Sequence, residues 1–257
     1  MYDFTYKKAG SIDDATASHG AADEARYMSG GMTLLPTLKL RLDKPSDVID
    51  LAGIDGLSGI TVDGGTVTIG GMTRHAAVAA SAEVQNAIPA LAKLASGIGD
   101  PQVRNRGTIG GSIANNDPAA DYPSAVVGLG ATVKTNKREI AGDDFFTGMF
   151  ETALEPGEIV TSVSFPVPDK AAYMKFPNPA SRYAIVGVFA SQGSGGARVA
   201  VTGAGACVFR VAEMEQALGA NFSADAVAGI SIPDGDLNSD IHASAEYRAH
   251  LVTVMAK

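Results

Sequence analysis

A chain of 257 residues, of which 46% are hydrophobic and 19% charged, is long enough for one large globular domain or two modest ones. The net charge of −8 argues against a nucleic-acid ligand, because that affinity comes mainly from basic side chains that neutralise phosphates. A lone cysteine, Cys207, excludes an internal disulfide and a cysteine-rich metal or iron–sulfur site, and no apolar run reaches the roughly 18 residues that a membrane span needs.

The N-terminal region predicts a small α/β unit. Residues 13–28 carry alanines and a methionine at roughly helical spacing, and Gly30 and Gly31 then end the predicted helix. A short second helix is expected within residues 33–42, near a proline that suits the first turn of a helix. Residues 47–51 have the pattern of a short strand.

A hairpin and a helical region are predicted next. Residues 59–70 consist of two alternating segments around an Asp-Gly-Gly turn, which is a strong hairpin signal. Thr73 is the expected cap of a helix over residues 76–82, and a proline begins a further helix over residues 89–95. Residues 107–114 are rich in glycine and are predicted to be irregular.

The second half of the chain predicts more strands and a change of domain. A helix or a strand is expected over residues 124–131, and strands are expected over residues 131–135 and 158–167. A change of composition at residues 168–170 then predicts a domain boundary. Beyond it, a sheet covered by helices on one face is expected from strands and helices over residues 183–191, 197–202, 211–218 and 243–255.

Two glycine-rich segments, within residues 27–36 and 105–123, are candidates for binding an anion. Consecutive glycines let successive N–H groups point into one concavity, which suits an acidic protein because no cluster of basic side chains is needed. If both segments bind one ligand, they must meet in the fold, although each Gly-Gly pair by itself also fits a simple turn. Neither segment matches the Rossmann or P-loop pattern. The side chains that can add hydrogen bonds are Thr33, Thr108, Ser112 and Asp121.

Several motifs, in the same order along the chain, resemble those of one known family. Residues 104–123 resemble its run Arg-Asn-x-Gly-Thr-Ile-Gly-Gly, which ends in Asp-Pro-Ala-Ala-Asp-x-Pro, and residues 29–36 resemble its Gly-Gly loop. Further similarity covers residues 69–75, 154–160 and 173–175. The chain thus resembles, along its whole length, the FAD-binding medium subunit of the molybdenum hydroxylases, the carbon monoxide dehydrogenase and xanthine dehydrogenase family.

The resemblance implies an α+β fold in two domains. Residues 1–168 would form the two-part FAD-binding domain of the vanillyl-alcohol-oxidase-like (PCMH) type, with subdomains of about residues 1–55 and 56–168. Residues 169–257 would form a small α+β C-terminal domain of the carbon monoxide dehydrogenase flavoprotein type.

The resemblance also implies which residues hold FAD. Two loops would cradle the pyrophosphate and the neighbouring ribitol: Met28, Ser29, Gly30, Gly31, Met32, Thr33, Leu34 and Leu35, with Thr108, Ile109, Gly110, Gly111 and Ser112. Asp121 would hydrogen-bond the cofactor, and Lys175 would stand at the polar edge of the flavin. The isoalloxazine pocket would be lined by Ile98, Leu154 and Val160. No catalytic acid or base is expected on this chain, and the four dispersed histidines predict no metal site.

Other side chains near these motifs leave alternatives open. Arg104 and Arg106 can approach phosphates, or they can lie in a solvated loop or a subunit contact. Asp117 suits a helix cap and a cofactor contact equally well. Tyr183 can stack beside the flavin or pack within the first strand of the last domain, and packing is the favoured interpretation.

The function that the resemblance implies is electron transfer. A substrate would be hydroxylated at a molybdenum cofactor on a large partner subunit, and two [2Fe–2S] clusters on a small partner would carry the electrons to FAD on this chain and then to an external acceptor. The expected assembly is a dimer of such heterotrimers. It is expected to lie in the cytoplasm and to bind no nucleic acid. Two alternatives remain: a free-standing flavin oxidoreductase, which needs an acid or base that the sequence does not offer, and a scaffold that has lost FAD, which the intact glycines disfavour.

Overall fold

A computed structural model describes residues 1–257 and divides most of the chain among three β-sheets, with the helices packed between and outside them. The sheets contain three, five and four strands, and a separate two-stranded hairpin completes the strand content. None of the helices combines the length and the apolar composition that crossing a membrane requires.

The N-terminal unit is a parallel three-stranded sheet with the strand order β1-β3-β2. The predicted strand near residue 47 and the predicted second helix are confirmed, but the helix predicted over residues 13–28 ends at Ala21. Residues 25–28 form a strand instead, because pairing with β3 satisfies their backbone and buries Ala25. The elements are β1 (Thr5–Lys8), α1 (Ile12–Ala21), β2 (Ala25–Met28), α2 (Leu34–Lys39) and β3 (Asp47–Asp50), followed by a 3-10 turn over Leu51–Gly53.

The second sheet is antiparallel and has the order β4-β5-β10-β6-β7. The predicted hairpin is confirmed, and Gly64 and Gly65 at its turn both have positive φ, of 53° and 79°. Strands predicted near residues 132 and 160 also belong to this sheet. Its strands are β4 (Ile60–Asp63), β5 (Thr66–Gly70), β6 (Thr132–Thr135), β7 (Glu139–Ala141) and β10 (Val160–Pro166), and the small hairpin beside it is β8 (Phe146–Gly148) with β9 (Glu151–Thr152).

A layer of short helices packs on this sheet and contributes a large part of the largest hydrophobic cluster, which includes the fully buried Leu91, Ile109 and Tyr122. Two predictions are wrong here. Thr73 does not cap α3, because its hydroxyl bonds to the backbone of Gly59. The glycine-rich residues after 107 form a helix, not irregular chain. The helices are α3 (His75–Ala80), α4 (Ala82–Ala87), α5 (Pro89–Ser96), α6 (Pro101–Arg104), α7 (Ile109–Asn115), α8 (Tyr122–Gly128) and α9 (Gly142–Phe145).

The third sheet follows at Lys170, directly after the end of β10, and has the order β11-β12-β13-β14. Its predicted strands and helices are present, but the expectation of one covered face is wrong. Residues 184–191 of β12 are all buried, since α10 and α12 cover one face and α8 packs on the other. The elements are β11 (Lys170–Pro177), β12 (Ala184–Gly193), β13 (Gly196–Thr202), β14 (Phe209–Arg210), α10 (Ala212–Ala220), α11 (Ala224–Val227) and α12 (Ala245–Ala256).

Candidate functional site

A cavity of about 600 Å³ lies where the N-terminal unit, the helical layer and the loop between β11 and β12 meet. Both glycine-rich segments contribute to its wall. The residues that line it from these segments are Ser29, Gly30, Gly31, Met32, Thr33 and Leu34, together with Gly107, Thr108, Gly110, Gly111, Ser112, Ala114 and Asn115.

The two glycine-rich segments touch each other directly. The Ser29 Oγ and Thr108 Oγ1 atoms are 2.6 Å apart, so their hydroxyls share a hydrogen bond. A Cβ atom on Gly30 would lie 2.1 Å from the Arg106 carbonyl oxygen and 2.8 Å from Gly107 Cα, which leaves room for glycine alone. The prediction that both segments meet around one cavity is therefore confirmed.

The first segment provides free backbone donors. The N–H groups of residues 30–33 donate to no acceptor within the chain, while the Leu35 N–H returns to the Gly31 carbonyl as α2 begins. Gly31 has a φ of +75°, the left-handed backbone that a concave run of amides requires. Residues 30–33, called here the amide cradle, thus present four successive donors at the cavity wall. Backbone N–H groups without a partner in the chain must bond to a ligand or to water, so this segment is suited to bind an acceptor.

The second segment works differently from the expectation. Its N–H groups from Ile109 to Ser112 are all used internally, by the carbonyls of Thr73, Gly71 and Thr108 and by the Thr108 hydroxyl, which caps α7. The glycines serve close packing: a Cβ atom on Gly110 would lie 2.6 Å from the Gly71 carbonyl oxygen. The segment therefore offers the cavity its helix N-terminus and the unbonded Ser112 hydroxyl, not a second row of free amides.

Most of the predicted site residues line this cavity, including Ile98, Asp121, Leu154 and Val160. Four do not. Ile109 is fully buried in the core, because its side chain points away from the cavity between α7 and the sheet. Met28 and Leu35 lie behind Gly31, with Leu35 Cδ1 only 3.0 Å from the position of a Gly31 Cβ. Lys175 is the fourth.

Lys175 is a structural cation, and the cavity wall does not include it. Its Nζ atom bonds to Asp121 Oδ1, to the Gly97 carbonyl and to the Arg182 carbonyl, each at 2.9 Å. All three of its N–H donors are thus engaged, which leaves none for a flavin edge. The Tyr173 hydroxyl donates to the same carboxylate. Burial raises the pKa of Asp121, and the ammonium of Lys175 and the hydroxyl of Tyr173 oppose that shift.

Tyr183 lies at the rim of the cavity. Its side chain lines the cavity and stays 45% exposed, so the favoured interpretation of packing within a strand is wrong. Arg182 precedes it with a φ of 64° and also lines the cavity. Arg104 binds the carbonyls of Ile98 and Gly99 from behind the wall, whereas the Arg106 side chain is exposed and makes no hydrogen bond.

The Glu158 carboxylate is buried at the cavity wall and accepts hydrogen bonds from three groups. Arg138, the Thr135 hydroxyl and the Glu155 N–H all bond to it. Burial alone would raise its pKa, but these hydrogen bonds outweigh burial and bring the pKa to about 2. Glu158 is therefore ionised at neutral pH and is already paired, which makes it unsuited to accept a proton from a substrate.

His75 is a cavity residue that the sequence analysis did not single out. It is 4% exposed, its ring lies 5.3 Å from the Tyr122 ring, and a Cβ atom on Gly107 would come within 2.6 Å of its Nε2. Its Nδ1 atom has no partner. Burial lowers the pKa of His75 to about 4, and the Arg104 guanidinium acts in the same direction. The imidazole is therefore a neutral packing group beneath the second segment.

The buried imidazole predicts acid sensitivity. It titrates near 6.5 when unfolded and at about 4 when folded, so its full contribution to stability is present above pH 6.5 and is lost as the pH falls to 4. This contribution is about 3 kcal/mol. His75→Gln should flatten the dependence of the unfolding free energy on pH in this window, measured by denaturant titration. The exposed His250→Gln is the control, and equal slopes in both variants would contradict the prediction.

The cavity thus lies in an α+β protein, beside a parallel α/β unit and an antiparallel sheet, and residues with unbonded backbone N–H groups line it. The family of the FAD binding domain in molybdopterin dehydrogenase matches residues 2–168. The chain belongs to this family, and FAD is its expected cofactor.

Individual relatives cover almost the whole chain. The nicotine 6-hydroxylase medium subunit of Paenarthrobacter nicotinovorans is 34% identical over 96% of this chain and 92% of the relative. The glyceraldehyde dehydrogenase medium chain of Sulfolobus acidocaldarius is 33% identical over 98% of this chain and 95% of the relative. One solved structure is carbon monoxide dehydrogenase of Hydrogenophaga pseudoflava, in a form that lacks the Mo-pyranopterin moiety. It superposes with a TM-score of 0.88 at 32% identity, over 99% of this chain and 95% of the matched chain. The predicted fold class, FAD binding and an oxidoreductase subunit are thereby confirmed.

Proposed function

We propose that the chain is the electron-transferring FAD subunit of a molybdenum-dependent hydroxylase or dehydrogenase. The observation that carries this is the amide cradle of residues 30–33, four unbonded N–H groups beside the N-terminus of α7 at one cavity wall. Such donors bind a pyrophosphate without basic side chains, in keeping with a net charge of −8. When bound, FAD would supply the two-electron redox chemistry.

The side chains of the cavity suit the rest of such a ligand. Thr33 and Ser112 carry hydroxyls that bond to no side chain, next to the amide donors. Ile98, Leu154 and Val160 form an apolar stretch of wall that suits an isoalloxazine ring, and Tyr183 lies at the exposed rim. Among the ionisable side chains of this wall, the Glu158 carboxylate is already paired with Arg138 and the His75 imidazole is buried, which supports electron transfer over a free-standing oxidoreductase.

The proposal includes partners. Relatives are named as medium subunits or medium chains, which supports a complex with a large molybdenum subunit and a small [2Fe–2S] subunit, assembled as a dimer of heterotrimers. Electrons would reach FAD from the [2Fe–2S] clusters and leave to an external acceptor. A cytoplasmic location is part of the proposal, since a single cysteine suits a reducing compartment. We place the domain boundary at residue 168, with subdomains of about residues 1–55 and 56–168.

The test is flavin retention by the purified chain and by Gly111→Asp. Gly111 lines the cavity, and its Cβ would lie 3.3 Å from Ser29 Cβ and 3.0 Å from Thr108 Oγ1, where a carboxylate would repel a pyrophosphate. We expect the wild-type chain to show the flavin absorbance of bound FAD, and Gly111→Asp to lose it while keeping its far-ultraviolet circular dichroism. Full flavin absorbance in Gly111→Asp would overturn the placement of the pyrophosphate. Co-purification with molybdenum and iron–sulfur subunits tests the proposed partners.

A further inference from the structure

Three cations converge on three successive carbonyls at the C-terminal end of α5. Lys175 Nζ donates to the Gly97 carbonyl at 2.9 Å. Arg104 Nη1 donates to the carbonyls of Ile98 at 2.9 Å and Gly99 at 3.0 Å. Arg182 Nη1 donates to the Gly99 carbonyl at 3.2 Å. Arg104, Lys175 and Arg182 are called here the cation clamp.

The local chemistry favours this arrangement. The three carbonyls directly follow the last residue of α5, Ser96, and cations near a helix C-terminus interact favourably with the helix dipole. Gly99 has a φ of +50°, which turns the chain sharply enough for neighbouring carbonyls to face different donors. Of the three cations, only Lys175 has a carboxylate within salt-bridge distance, that of Asp121. The two guanidiniums therefore keep an uncompensated positive charge.

The clamp acts on the cavity wall. Ile98, Gly99 and Arg182 all line the cavity. Arg104 comes from α6 of the helical layer, whereas Lys175 and Arg182 come from β11 and the loop that follows it. The wall segment is thus held from both sides of the expected domain boundary. Without the clamp, residues 97–99 would keep only the hydrogen bonds that end α5.

We propose that Arg104 is a positioning residue for flavin binding. It holds Ile98 and Gly99 in the shape that accepts the isoalloxazine ring, and together with Arg182 it creates a positive potential there. A positive potential stabilises added negative charge, so the clamp raises the reduction potential of bound flavin. This inference rests on the proposed FAD function, and it assigns to Arg104 a role in which its side chain touches no part of the cofactor.

The test compares Arg104→Gln, Arg104→Lys and the control Arg106→Gln, whose side chain is exposed and outside the cavity. Three quantities are measured: the FAD dissociation constant, the flavin midpoint potential, and amide hydrogen exchange at residues 97–99 in FAD-free protein. We expect Arg104→Gln to raise the dissociation constant about tenfold, to make the potential more negative, and to speed exchange. Arg104→Lys keeps the charge and one donor direction, so it should recover the potential and most of the affinity.

Two results overturn the inference. If Arg104→Gln matches Arg106→Gln in exchange and in affinity, Arg104 does not position the wall. If Arg104→Lys leaves the potential as low as Arg104→Gln does, the charge is not responsible for the potential. Failure of the proposed function has a different signature: the wild-type chain would bind no FAD at all, and the inference would then fall with it.

Discussion

Gly30→Ala is expected to abolish FAD binding at micromolar concentrations while Gly20→Ala leaves binding unchanged. A Cβ atom at position 30 would lie 2.1 Å from the Arg106 carbonyl oxygen and 2.7 Å from its carbonyl carbon. These are backbone atoms, so no side-chain rotation can relieve the overlap. The two glycine-rich segments must move apart, which breaks the hydrogen bond between Ser29 and Thr108 and widens the amide cradle.

Stability should fall as well, because overpacking at a close contact costs about 1–3 kcal/mol. Gly20 is the matched control, since a Cβ there meets nothing within 4 Å and the residue lies in α1. Binding is measured by titrating FAD and following its fluorescence, and unfolding is measured with denaturant. If Gly30→Ala binds FAD as Gly20→Ala does, the approach of the two segments is not what forms the binding site.

The elements that could be predicted from the sequence are those whose signals are local. The hairpin around Gly64 and Gly65 follows from two residues that tolerate positive φ between alternating segments. The helix from Pro89 to Ser96 follows from a proline at its first position and a glycine just beyond its end. In both cases the deciding residues lie within the element or directly beside it, so no distant partner was needed to identify it.

The errors came from residues whose conformation is decided by distant contacts. Residues 25–28 are a strand because β3, some twenty residues later, pairs with them. The pair Gly110 and Gly111 was expected to present free amides, yet both N–H groups are bonded within the chain, and Gly110 allows α7 to pack against the Gly71 carbonyl. A hydroxyl residue close before a pair of glycines suits an amide cradle and a capped helix equally, and the sequence contains nothing local that separates them.

The same distinction between local signals and distant contacts applies to the residues of the candidate site. Residues 29–34 and the cavity-lining part of the second segment could be predicted because glycine and hydroxyl residues within each segment give a local signal. His75 was missed because the glycine that it packs against is distant in the sequence, and its one local signal is its place two residues after a Gly-Gly-x-Thr run. Lys175 was misplaced because a lysine in a sequence does not show which acceptors it will meet. Here they are Asp121 and two carbonyls that belong to separate segments.

Asp121→Ala is expected to destabilise the protein by about 3–5 kcal/mol, because it leaves a nearly buried ammonium without its counter-charge. Asp121 is 4% exposed and the Lys175 side chain is 10% exposed, so water compensates little for the lost pair. The Tyr173 hydroxyl would also lose its acceptor. Asp14→Ala, which removes an exposed partner of Lys7, should cost much less and serves as the control.

A double-mutant cycle separates the ion pair from general loss of packing. Lys175→Met removes the ammonium and keeps much of the side-chain volume, so Asp121→Ala should cost less in the Lys175→Met background than in the wild type. Asp121→Asn should cost less than Asp121→Ala, since an amide oxygen can still accept from Tyr173. Because Asp121 lines the cavity and Lys175 holds the Gly97 carbonyl behind it, FAD affinity should fall together with stability in Asp121→Ala. Additive effects of Asp121→Ala and Lys175→Met on the free energy of unfolding would show that the two charges do not stabilise each other, and that the connection between the C-terminal sheet and the cavity wall depends on packing alone.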